Sequence, residues 1–170
     1  KARSAGKAYA DAAREFSAHL KDLLFFDQNK KGKGYEIVEL WINSDVRSSA
    51  TFAQVESYGR AMTEAAEKLV RVCQELVGYL EELEGAAEIQ REIASTAMEL
   101  KDQMNAADII LDRAPETYAY AATLSRKKDR VAEKLEALLI NVGEAMNETL
   151  FERTHSTVFA SATLAVDDKF

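Results

Sequence analysis

Residues 55–85 read VESYGRAMTEAAEKLVRVCQELVGYLEELEG. Along them Val55, Tyr58, Met62, Ala65, Leu69, Val72, Leu76, Tyr79 and Leu83 recur in unbroken steps of three and four. That alternation marks a helix packed at a shallow angle against another helix. Gly85 stops it, because glycine reaches the left-handed backbone conformation that closes a helix. Ala86, Ile89, Ile93, Ala97, Leu100, Met104, Ala107 and Leu111 then repeat the spacing up to Pro115, which cannot continue a helix. Two such seams joined at one glycine predict an antiparallel helical hairpin over 52–112, each arm roughly 40–50 Å long at a rise of 1.5 Å per residue. Ser48 or Ser49 can cap its first arm.

Upstream of the hairpin, Ala8, Ala12, Phe16, Leu20, Leu23 and Leu24 predict a helix over 4–26. Residues 27–34 contain no apolar side chain and two glycines, and read as a loop. Residues 35–42, YEIVELWI, are β-branched and aromatic and read as a strand. Phe25-Phe26 or a later segment could pair with it. Downstream, 118–124 looks like a strand, 131–140 fits strand or helix, and 142–152 reads as a short helix with Met146 and Leu150 on one face. Residues 156–160 look like a short buried-type strand. The expected class is mainly α with a small β element, an α+β fold.

With 47% apolar and 30% charged residues among 170, the chain can bury a real core and is not disordered by composition. A single proline and seven glycines suit long helices. No apolar run approaches the roughly 18–20 residues that span a bilayer, and nothing resembles a secretory leader. No membrane partner and a cytoplasmic location are therefore expected. Lys1 at the first position hints at a trimmed chain. Cys73 is the only cysteine. It reads as a small buried side chain, and alone it cannot make a disulfide, a zinc site or an iron–sulfur cluster.

The net charge of −7 is unevenly spread. Residues 1–34 carry eight basic and four acidic groups, 35–112 six and sixteen, and 113–170 eight and nine. Phosphate contacts must therefore be local, since the acidic middle repels a nucleic-acid backbone. Two basic clusters stand out. Lys30, Lys31 and Lys33 lie in the glycine-bearing loop, and Arg126, Lys127 and Lys128 lie near Arg130. Each reads either as a solvated turn or as a DNA-phosphate contact.

Other constellations are thinner. Glu152 and His155 make one Glu-x-x-His step, where a di-iron bundle needs two copies. Ser4-Ala5-Gly6-Lys7 lacks the flanking glycine and hydroxyl of a phosphate loop. No catalytic triad can be assembled, and no metal site is expected. The carboxylates fit solvated helix faces and intrahelical pairs such as Glu64–Lys68.

The run Leu150-Phe151-Glu152-Arg153-Thr154-His155-Ser156-Thr157-Val158-Phe159-Ala160-Ser161-Ala162-Thr163-Leu164, with Phe170 beyond it, resembles motif III and its approach in DinG-like helicases of the XPD type. Leu139–Met146 looks like that family's return segment into the motor domain. Leu40-Trp41-Ile42 followed by Arg47 resembles a strand of its large insertion. The resemblance implies that 1–150 is an Arch-like insertion domain and 151–170 the edge of the first motor domain of a superfamily 2 helicase. The implied parent is an ATP-dependent 5′-to-3′ DNA helicase using ATP and magnesium, with single-stranded DNA and the remaining motor domains as partners. Ser161, Ala162 and Thr163 would then couple the ATP site to strand movement. No Walker A, Asp-Glu-Ala-His box or four-cysteine cluster is present in the sequence, so no ATP hydrolysis and no cofactor are expected of this chain by itself. On this reading residues 156–164 form a strand unpaired within the chain. The alternative, a stand-alone helical-hairpin interaction module, expects that strand to pair internally.

Overall fold

The computed structural model describes residues 1–26, 37–127 and 130–158. The elements are α1 (Ala2–Phe26), β1 (Ile37–Trp41), α2 (Ser44–Arg47), α3 (Ala50–Glu81), α4 (Ala87–Ala107), a π-helical turn (Asp108–Arg113), β2 (Tyr118–Lys127), β3 (Arg130–Leu139), α5 (Val142–Thr149) and a 3-10 turn (Phe151–Arg153). The chain divides into two units, Lys1–Leu138 and Leu139–Phe170.

In the first unit α1, α3 and α4 form a three-helix bundle. The predicted hairpin is present as α3 and α4, joined by residues 82–86, where Gly85 has a φ of 81°. Ser49 is the capping serine, its hydroxyl accepting the Phe52 N–H at 3.1 Å. The buried line along α3 is Phe52, Val55, Gly59, Ala66, Val70 and Cys73, rotated from the seam expected through Tyr58, Ala65, Val72 and Tyr79. A two-helix seam was the wrong geometry, because α3 packs against both α1 and α4 and the line facing both is the one most covered. Tyr79, Leu83 and Ile89, expected inside, are exposed. Cys73 is buried, as its apolar surroundings suggested.

Gly59 of α3 faces α1 and the π-helical turn. A Cβ there would stand 2.3 Å from Leu111 Cδ1 and 3.3 Å from Phe16 Cε2, so a larger residue requires the Leu111 side chain to shift. Further along, Ala66, Val70 and Leu100 pack with Tyr9, Leu69 and Met104, and the Tyr9 hydroxyl donates to Gln103 Oε1 at 2.8 Å. The expected Glu64–Lys68 pair is replaced by Glu67–Arg71 at 2.5 Å. Glu64 and Lys68 instead line a shallow groove between α1 and α3, of about 410 Å³, floored by Ala5, Ala8, Ala61 and Ala65.

A three-stranded sheet of order β1-β2-β3 covers the base of the bundle. The partner of β1 is β2, antiparallel, and not Phe25-Phe26. Residues 130–139, ambiguous by pattern, are strand β3. A strand suits them because Leu135 and Ala137 then pack on the core while Lys134 and Glu136 turn outward, the period of two. The main core joins Leu20, Leu23 and Leu24 of α1, Phe52 and Val55 of α3, Ile110 and Leu111 of the π turn, and Leu40, Tyr120, Ala122 and Leu124 of the sheet.

In the second unit α5 is capped by Asn141, whose side-chain oxygen accepts the Gly143 N–H at 3.1 Å. The helix expected to 152 ends at Thr149 and continues as the 3-10 turn. Residues 156–158 pair with no strand among the described residues, and Val158 is 90% exposed. The rest of that run, including Ser161, Ala162 and Thr163, lies outside the described residues. Among the described residues no helix is long and apolar enough to cross a membrane.

Candidate nucleic-acid interface

Strand register decides where the second basic cluster leaves the sheet. β1 pairs with β2 from Ile37↔Ser125 to Trp41↔Ala121. The start of β1 therefore lies beside the end of β2, where Arg126 and Lys127 are the last two strand residues and Arg130 begins β3. Lys30, Lys31, Lys33 and Lys128 lie outside the described residues. Together, 27–36 and 126–130 hold seven basic and three acidic residues, against a chain that is net acidic.

The two faces of the sheet differ. Val38 and Leu40 turn to the core, which leaves Ile37, Glu39 and Trp41 outward, and Trp41 is half exposed. An exposed indole can stack on a base. Glu39 shares that face, as does Glu136, which is paired with Lys134. Trp41 was read only as part of a strand; the period-two alternation of Val38, Leu40 and Ile42 was the signal that it points outward.

Two anchors hold the sheet on the bundle. On the inner side of β3, Glu133 accepts hydrogen bonds from Ser17 and from Lys21, the latter at 2.5 Å. Burial pushes the Glu133 carboxyl up, but the hydrogen bonds from Lys21 and Ser17 outweigh it and hold the group below the ordinary 4.5. A depressed folded-state value contributes stability that is complete above about 4.5 and lost as pH falls through the lower folded value. Denaturation midpoints of the wild type should therefore fall as pH is lowered below 4.5, and Glu133→Gln should remove that part of the fall. Parallel pH profiles for the two proteins would refute the anchor.

At the other anchor the Arg47 guanidinium lies 4.6 Å from the Tyr120 ring centroid and 5.2 Å from that of Phe52, and donates to the Ile110 carbonyl at 3.1 Å. The Tyr120 hydroxyl donates to the Pro115 carbonyl at 2.7 Å. Burial pushes the Tyr120 phenol up.

Remaining candidates have structural settings. His19 stacks on Tyr58 with centroids 3.9 Å apart between α1 and α3. Glu152 accepts from Asn147 Nδ2 at 2.9 Å, and His155 is exposed two residues beyond the 3-10 turn. Among the described residues no three His, Cys, Asp or Glu side chains converge to hold a metal ion. Comparison with protein-family models, curated proteins and solved structures finds no match.

Proposed function

We propose that this chain is an Arch-like insertion of an ATP-dependent 5′-to-3′ DNA helicase, guiding or gating single-stranded DNA, with no ATPase activity of its own. Motor domains, ATP and magnesium belong to the parent, in the cytoplasm. The helicase part rests on the resemblance of 150–164 to motif III. An order of helix, strand, helical hairpin and β return is in keeping with it, as is the solvent-facing Val158. The observation that supports DNA guiding is the β1–β2 register, which sets the start of β1 beside the end of β2, where Arg126 and Lys127 are the last strand residues. A stand-alone helical-hairpin interaction module is the second reading, favoured by the exposed apolar hairpin tip.

Titrating the chain with labelled oligothymidine across a salt series tests the DNA reading. Each phosphate neutralised on a single strand contributes about −0.7 to the slope of log K against log salt, so six engaged side chains give roughly −4. Alanine at Lys30, Lys31 and Lys33 should flatten that slope by about 2, and alanine at Arg126, Lys127 and Lys128 by a similar amount. No binding at low salt, or slopes unchanged in both variants, would sink direct DNA contact.

A further inference from the structure

Three large apolar side chains at the hairpin tip are left uncovered: Tyr79 is 71% exposed, Leu83 59% and Ile89 56%. The tip is a closed turn. The Ala86 N–H donates to the Leu83 carbonyl, and Gln90 Nε2 to the Val77 carbonyl, each at 3.3 Å. All three fall within eleven residues of one closed turn, and apolar surface gathered in one place is the form that contact sites take.

Its surroundings carry charge of one sign. Glu81, Glu82, Glu84, Glu88 and Glu92 ring the tip, and none of them makes an ion pair among the described residues. The only base within 79–92 is Arg91, whose guanidinium turns back to the Ala87 carbonyl at 3.2 Å. Some carboxylates elsewhere are matched, as Glu67 is by Arg71, Asp112 by Arg60 and Glu133 by Lys21, but within 79–92 five glutamates face a single base. Glu88 and Glu92 stand four apart on α4 and repel one another. Unpaired negative charge and uncovered apolar surface thus coincide at one place.

We propose that this tip docks a basic amphipathic segment of a partner protein, one that sets lysines or arginines around two or three large apolar side chains. Such a segment covers Tyr79, Leu83 and Ile89 and neutralises the glutamates that rim them, the arrangement of an apolar contact centre with a complementary charged border. Tip and sheet lie at opposite ends of α3, a separation of about 45 Å at 1.5 Å per residue. The docking site is therefore distinct from the DNA interface and does not rest on it. A nucleic-acid strand is repelled by the same carboxylates.

The test uses the whole chain and a labelled peptide about 18 residues long, lysines and leucines in amphipathic helical order, with a companion in which every leucine is serine. The leucine peptide should bind about tenfold or more tightly than the serine peptide, and the combined Tyr79→Ser, Leu83→Ser, Ile89→Ser variant should lose that advantage. Because these three side chains are exposed, the variant should melt with the wild type. Replacing Glu82, Glu84 and Glu88 by glutamine should weaken binding at low salt and flatten its salt dependence. Equal binding of both peptides, or undiminished binding by the triple-serine variant, overturns the proposal in favour of general attraction to an acidic protein. Concentration-dependent self-association that the triple-serine variant abolishes overturns it in favour of a second copy as the occupant.

Discussion

Phe52→Ala should cost about 4 kcal/mol of unfolding free energy, the middle of the range for emptying a fully buried aromatic site. Phe52 has no exposed surface and sits where α1, α3, the π turn and β2 meet. Its neighbours come from elements far apart in sequence, so none can move in to fill the space without giving up its own contacts. Lost transfer energy and residual cavity both contribute. A domain of this size holds roughly 5–15 kcal/mol in all, so the variant should unfold at a far lower urea concentration with an unchanged dependence on urea. Phe52→Leu, which keeps most of the volume, should cost about 1–1.5 kcal/mol. A loss below about 1.5 kcal/mol for the alanine variant would mean that the base of the bundle is not packed as described.

Arg47→Ala should cost about 2–3 kcal/mol, because one guanidinium performs two jobs. The first follows from the π turn. In a regular α-helix the Ile110 carbonyl would accept the Ala114 N–H, but that N–H goes to Ile109 at 2.8 Å. The next residue is Pro115, which has no N–H to give. Arg47 supplies the donor from outside the turn. The second job is electrostatic: the cation lies over the faces of Tyr120 and Phe52. Arg47→Lys keeps the charge without the planar fork and should recover only part of the loss. Hydrogen exchange should quicken at 108–114 in the alanine variant, and a double-mutant cycle with Tyr120→Leu should return a coupling of about 0.5–2 kcal/mol. Loss of stability without faster exchange in that turn would assign the effect to ring packing alone.

The turn that Arg47 secures also carries local strain. Ala114 has a φ of 38° and a ψ of 53°, a left-handed conformation costly for a residue with a Cβ. A left-handed residue is a common way to close a helix, and Pro115 after it cannot continue one. The bend redirects the backbone from α4 into β2.

Interval and punctuation made much of the fold legible. Steps of three and four, Ser49, Gly85 and Pro115 each act within a few residues, so the long hairpin, its cap, its reversal and its end can be read locally. The apolar content of 37–41 marks a strand for the same reason. Choice among neighbours was not local. Which line of α3 is buried depends on α1 as well as α4, and a seam drawn for one partner leaves Tyr79 and Leu83 inside when they are outside. Whether 130–139 became strand or helix depended on an open edge of β2 to pair with. The basic clusters were visible as charge, but the pairing that sets the start of β1 beside the end of β2 was not.

From sequence alone came the helical hairpin, the α+β class and the charge segregation, because periodicity, capping and composition are properties of short segments. Tertiary structure alone decided the β1–β2 register, the buried line of α3, the Arg47 bridge to the proline-deprived Ile110 carbonyl, and the uncovered acidic tip. Each of these depends on which distant surfaces compete to exclude water and to satisfy a backbone group, and that competition is settled only when the chain packs.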